Sequence, residues 1–164
     1  MQTWTCTDQN TAHDDLVRNA LQYNLIPIGD VPRDGSCMFH AVAQSLNELD
    51  GTVYTQQDIR IAVVNWLRTN AVMDNGVDLR NFINNRSWEE YLEAISNNEW
   101  GGHLCLLAMT NIYRIAVAIV SSQNNDIHFL NVEETHNKEN IIYLGHEFET
   151  QYIYKASLFQ RKAS

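Results

Sequence analysis

The hydrophobic pattern of this chain changes once, near residue 114, and that change limits the folds open to it. Before it, apolar residues recur at helical spacing behind capping residues. Thr11 to Asn24 reads as a helix that opens with Thr11-x-x-Asp14 and carries Leu16, Ala20 and Leu21 on one face. Cys37 to Leu46 places Phe39, Val42, Ala43 and Leu46 together, with Ser36 as the expected N-cap. Thr55-x-x-Asp58 leads Ile59, Ala62, Val63 and Trp66, and Ser87-x-x-Glu90 leads Tyr91 and Ile95, with Asp74 to Val77 as a loop between them. A short apolar helix from Gly102 to Tyr113 ends this half. Four runs rich in β-branched and aromatic residues follow: Ile115 to Val120, Ile127 to Val132, Ile141 to Leu144 and Tyr152 to Phe159. Helices first and strands later predict an α+β domain, with helices packed on a mostly antiparallel sheet.

A length of 164 residues with 45% hydrophobic content suits one core, so residues 1–164 are read as a single domain. No repeat or linker interrupts it, and the only prolines, Pro27 and Pro32, are read as bracketing a turn. No run approaches the roughly 18 apolar residues of a membrane span, and Met1 to Asn10 lacks the pattern of a signal peptide. The expectation is a soluble monomer without membrane attachment in the cytoplasm, or in the host cytosol if the source is viral or bacterial. Cys6, Cys37 and Cys105 are too few and too scattered for a disulfide framework, which fits a reducing compartment. The net charge of −9 repels a phosphate backbone and excludes nucleic acid as the expected partner; it suits a basic protein surface instead. His103-x-Cys105 does not place two ligands on one helix face, and no second pair has ligand spacing, so neither a metal nor another cofactor is expected.

The chemistry-bearing segment is Asp34-Gly35-Ser36-Cys37. A cysteine attacks as thiolate, and a helix N-terminus favours that anion through its free N–H groups and dipole. Gly35 permits a tight turn, and the N–H groups of the loop and of Cys37 can face a developing oxyanion. On residue type alone, a lone cysteine ahead of an apolar helix is more often an inert core residue, and Asp34 a turn former.

The wider pattern decides between these readings. Asp34-Gly35-Ser36-Cys37-Met38-Phe39-His40-Ala41-Val42-Ala43 closely resembles the Asp-Gly-x-Cys-hydrophobic-Phe-x-Ala box of ovarian-tumour (OTU) deubiquitinases. Three further blocks resemble that family in its own order: Ile59-Arg60 with Trp66-Leu67-Arg68, then Ser87 to Leu92, then Glu99-Trp100-Gly101-Gly102 with Leu106-Leu107-Ala108. The similarity runs from about Ile26 to Leu158. It implies a papain-like OTU cysteine peptidase fold and hydrolysis of (iso)peptide bonds at the C-terminus of ubiquitin or a ubiquitin-like modifier. It implies Cys37 as nucleophile, with Asp34 supporting the loop or oxyanion region. Trp100, Gly101, Gln151 and Tyr152 fall in the substrate groove by the same resemblance.

The family's histidine, which starts the last strand, falls at Gln151 when the strands are put in register, with Tyr152 as its aromatic neighbour. An amide does not titrate and cannot serve as a base near neutral pH. Three accounts stand. His146, read as a loop residue five positions earlier, takes over as base; or the chain is a binding module that keeps the fold without turnover; or Gln151 is an introduced change. Neither Ile153 nor Phe148, two residues beyond each candidate, supplies the acid that the family places there.

Overall fold

The computed structural model describes residues 6–29, 36–99, 101–121, 127–130, 141–149 and 153–161. Five helices and five strands follow in the order α1 (Cys6–Leu21), β1 (Leu25–Gly29), α2 (Cys37–Asp50), α3 (Gln56–Thr69), α4 (Trp88–Ser96), α5 (His103–Tyr113), β2 (Ala116–Ser121), β3 (Ile127–Leu130), β4 (Ile141–Glu149) and β5 (Ile153–Arg161). A 3-10 turn at Leu79–Phe82 lies between α3 and α4.

Local chemistry sets most of the boundaries. Thr55 has extended backbone, its hydroxyl accepts from the Asp58 N–H, and the Asp58 carboxylate accepts from the Thr55 N–H at 2.9 Å. This reciprocal box contributes about 1 kcal/mol to the start of α3. Ser87 caps α4 in the same way through the Glu90 N–H. Gly51, at φ 76°, ends α2 in the left-handed region that glycine enters freely. The first helix departs from its predicted bounds. It begins at Cys6, so Thr11 is interior rather than a cap, and it ends at Leu21 because Tyr23 and Asn24 turn back onto Ala20 and Leu21. Leu16 and Ala20 are buried as predicted, whereas Leu21 is half exposed.

The sheet order is β1-β5-β4-β2-β3. The β1–β5, β5–β4 and β2–β3 pairings are antiparallel and β2–β4 is parallel, so the sheet is mixed but mostly antiparallel. Strand β1 adds to the sequence reading, in which Pro27 and Pro32 bracket a turn; residues 30–35 lie outside the described residues. Pro27 sits in an edge strand beside a register shift between Pro27 and Gly29, where a missing N–H costs least. Strand β4 also runs five residues beyond its predicted end at Leu144, through His146 to Glu149.

All six residues of β2 are buried because both faces of the sheet are covered. Val117 and Ile119 face the main core, built from Phe39, Val42 and Leu46 of α2, Ile59, Val63 and Leu67 of α3, Leu92 and Ile95 of α4, and Leu106 and Met109 of α5. Val120 points the other way, to Leu16 and Ala20 of α1 and to Leu25. The Asn19 amide donates to the Ser121 carbonyl at 2.8 Å and fixes α1 to the end of β2. Helix α2 packs on β4 and β5, so the N-terminal turn carrying Cys37 belongs to a helix held against the sheet. None of the helices among the described residues is long and apolar enough to cross a membrane.

Candidate active site

Cys37 is the first residue of α2 and Ser36 is its N-cap. The Ser36 carbonyl accepts the first helical bond, from the His40 N–H at 2.9 Å. Its hydroxyl does not cap the helix, contrary to the sequence reading. At φ −104° and ψ 7°, Ser36 lacks the extended conformation that turns a side chain toward the first helical N–H groups, as Thr55 does at ψ 164°. The Ser36 hydroxyl instead accepts from Arg60 Nη2 at 3.0 Å. The leading N–H groups of α2 are therefore not consumed by their own cap residue, and the helix end keeps its capacity to favour an anion.

Arg60 is a buried charged residue whose contacts pattern reading missed. It is fully buried on the apolar stripe of α3, together with Val63, Val64 and Leu67. A guanidinium out of water is costly unless its donors are met. Nε donates to Gln56 Oε1 at 3.1 Å, and Nη1 donates to the Ile95 carbonyl at 2.6 Å and the Glu99 carbonyl at 3.0 Å. The cation also lies 4.2 Å over the Phe39 ring. Its signal in the sequence was an arginine three, four and seven residues ahead of Val63, Val64 and Leu67, which puts a charge on a buried face.

The segment between α4 and α5 is drawn toward the same place. The Glu99 carboxylate takes both ends of the Arg86 guanidinium, Nη1–Oε1 at 2.8 Å and Nη2–Oε2 closer still, and this hydrogen bonding raises the Arg86 pKa above its usual value. Arg86 also lies over the Tyr91 ring at 5.2 Å. Gly101 then passes so close to α2 that a Cβ there would strike Met38 Cε and come within 2.9 Å of Phe39 Cε2. The chain thus reaches the first turn of α2 at a residue with no side chain. Of the predicted groove residues, Gly101 is brought beside Met38 and Phe39 in the first turn of α2, the turn that begins at Cys37.

His146 is placed in β4, with its Cα in register between Ser121 of β2 and Ala156 of β5. It is a residue of an internal strand, not the loop histidine that the sequence suggests; β4 continues past Gly145 because β2 and β5 pair with it on both edges. Asp34, Trp100, Gln151 and Tyr152 lie outside the described residues.

Cys105 provides the contrast. It is buried in α5, with the Tyr91 hydroxyl 3.7 Å from its sulfur, and burial pushes its thiol pKa up. That is the inert cysteine of an apolar interior. His103 is exposed while Cys105 is buried, so the two do not converge on a common ligand. Beyond Gly102, an apolar groove of about 500 Å³ opens at the start of α5, lined by Leu79, Phe82, Ile83, Tyr91, Leu104, Leu107 and Leu130. Phe82 in its wall is 63% exposed.

Comparison with known proteins places this arrangement in a family. A family model described as OTU-like cysteine protease matches residues 32–158. The OVARIAN TUMOR DOMAIN-containing deubiquitinating enzyme 10 of Arabidopsis thaliana is 23% identical over 146 residues, covering 88% of this chain and 38% of that protein. The chain spans less than half the length of the curated relatives it matches. Among solved structures, the OTU domain of OTUD1 superposes with a TM-score of 0.69 at 13% identity, covering 94% of this chain and 97% of that one. An OTU domain in complex with ubiquitin gives 0.62 at 22% identity, covering 83% and 69%. Box, fold and match over most of the length agree: the chain belongs to the family of OTU-like cysteine proteases.

Proposed function

We propose that this chain is a thiol-dependent deubiquitinase that hydrolyses (iso)peptide bonds at the C-terminus of ubiquitin or a ubiquitin-like modifier. The observation that carries the proposal is the position of Cys37 as first residue of α2, behind a cap residue whose hydroxyl is committed to Arg60. In the reaction, the Cys37 thiolate attacks the scissile carbonyl, and the electron pair moves onto oxygen to give a tetrahedral oxyanion. Free N–H groups at the helix end stabilise that charge. The pair returns, the C–N bond breaks, and the amine leaves with a proton. Water then attacks the thioester, releasing the modifier's carboxylate and restoring the thiol. The acid–base role is assigned to His146 and loop support to Asp34, with Trp100, Gly101, Gln151 and Tyr152 along the path of the tail. The net charge of −9 suits the basic tail of ubiquitin, and the apolar groove beside α5 offers a surface for its folded part.

One observation favours a second reading, in which the domain binds ubiquitin without efficient turnover. His146 is paired through strands on both sides, so reaching the thiol as a replacement base requires more than the swing of a loop. A ubiquitin probe with a thiol-reactive C-terminal group, followed by mass spectrometry, separates the two. Adduct formation that is lost in Cys37→Ala and in His146→Ala is the expected result. Labelling that appears only in Gln151→His overturns the assignment of His146 and supports the binding module. Failure of every variant to label or bind the probe overturns both readings.

A further inference from the structure

Arg60 is a charged side chain wholly out of solvent whose bonds span three separate stretches of chain. From α3 it reaches the residue before Cys37 through the Ser36 hydroxyl, the last turn of α4 through the Ile95 carbonyl, and the approach to Gly101 through the Glu99 carbonyl. Its cation covers Phe39, the ring against which Gly101 packs. The start of α2 and the Glu99 carbonyl, two residues before Gly101, are thus both fastened to one planar group. Burying an arginine for packing alone would be poor economy, since an apolar side chain fills the same volume without desolvating a charge.

We propose that Arg60 is a positioning residue for Cys37. It holds the Ser36 hydroxyl away from the helix N–H groups, leaves those groups to the thiolate and the oxyanion, and locks the Gly101 segment against the nucleophile turn. The inference rests on the reading of Cys37 as nucleophile and adds to it the device that keeps the site assembled. A lysine keeps the charge but has no fork, so it cannot meet Ser36, Ile95 and Glu99 at once. Ser36→Ala removes the link to α2 and leaves the bonds to Ile95 and Glu99. Other charged and titratable groups stand near: the Glu99 carboxylate is held by Arg86, and Tyr91 and Cys105 are buried as neutral partners.

The test follows the pH dependence of Cys37 alkylation by iodoacetamide, peptide by peptide, in the full chain and in Arg60→Lys and Ser36→Ala. Hydrolysis of a fluorogenic ubiquitin substrate is followed in parallel. Cys105 serves as an internal gauge of folding, because its buried thiol resists alkylation while the core is closed. With Cys105 protected, Arg60→Lys is expected to raise the midpoint of Cys37 alkylation by about one pH unit and to lower kcat about ten-fold, leaving KM within about two-fold. Ser36→Ala is expected to shift the midpoint in the same direction by less. Unmoved profiles and kcat with Cys105 protected would overturn the proposal. If Arg60→Lys exposes Cys105, its losses report an opened core and Ser36→Ala decides alone: a shifted midpoint with Cys105 protected sustains the proposal and an unshifted one ends it. A chain that ignores ubiquitin yet shows the Arg60-dependent profile would remove the ubiquitin assignment and retain this one.

Discussion

Gly101→Ala tests the close approach on which the site depends. The added Cβ meets two unlike neighbours. Met38 Cε is the far end of a flexible side chain, but that side chain is buried and gives only in part, and Phe39 Cε2 at 2.9 Å and Cζ at 3.1 Å belong to a ring held under the Arg60 guanidinium. Forcing a methyl into a packed contact of this kind costs about 1–3 kcal/mol. For a chain of this size, that predicts a fall in melting temperature of roughly 2–4 °C for each kcal/mol, so about 4–8 °C at the middle of the range. The same displacement moves the Gly101 backbone away from the first turn of α2, so kcat for a ubiquitin substrate is expected to fall more steeply than the folded fraction at the assay temperature.

A double-mutant cycle isolates the contact. Met38→Ala alone creates a cavity at a buried site and is expected to cost about 2–5 kcal/mol. In Gly101→Ala/Met38→Ala the new methyl enters the space vacated by the thioether, and the two losses should sum to more than the double variant shows, by about 1 kcal/mol. Denaturant unfolding followed by tryptophan fluorescence measures all four corners. Additivity within about 0.5 kcal/mol would refute the packing argument and, with it, the idea that residue 101 is glycine for the sake of proximity to α2.

How much of this was legible in the sequence varies with the range of the interaction involved. The Thr55–Asp58 box and the Ser87 cap lie within one turn of chain, and both form as read. From α2 onward the order of helices and strands follows from periodicity and is also observed, with α5 beginning one residue after Gly102, whereas β1 between α1 and α2 does not follow from it. What escaped are features that depend on partners distant in sequence. Ser36 has the residue type and position of a cap, but a guanidinium 24 residues later takes its hydroxyl. The strand around Pro27 is not visible until β5, over 130 residues on, pairs with β1 along an edge that tolerates a proline. Gly145 and His146 look like a loop because Leu-Gly ends a local β pattern, yet both pair with β2 and β5, and β5 alone carries β4 on to Glu149. The proposed nucleophile rests on a box of adjacent residues that can be read locally. The proposed base depends on strand register, and the sequence reading puts Gln151, which carries no titrating group, at the family's histidine position.

Two further expectations follow from the geometry. Phe82→Ser removes a half-exposed ring from the wall of the apolar groove, so KM for a ubiquitin substrate should rise about ten-fold while kcat and the melting temperature hold; an unchanged KM would place substrate docking elsewhere. The second concerns alkaline pH. Burial is the largest cause that raises the Tyr113 phenol from 10.0 to about 12, and it pushes Tyr91 up further. Both phenols are neutral below their unfolded value, so their protonation adds no pH dependence there. Above about pH 10 the unfolded chain releases these protons while the native chain retains them, and stability must fall as pH rises from that point through the folded value of Tyr113 near 12. Unfolding free energies measured across this range, alongside phenolate absorbance, should show a loss that Tyr113→Phe reduces. A flat profile from pH 9 to 12 would mean that the ring is hydrated and that its packing beside Tyr54, with ring centres 5.5 Å apart, does not shield the hydroxyl.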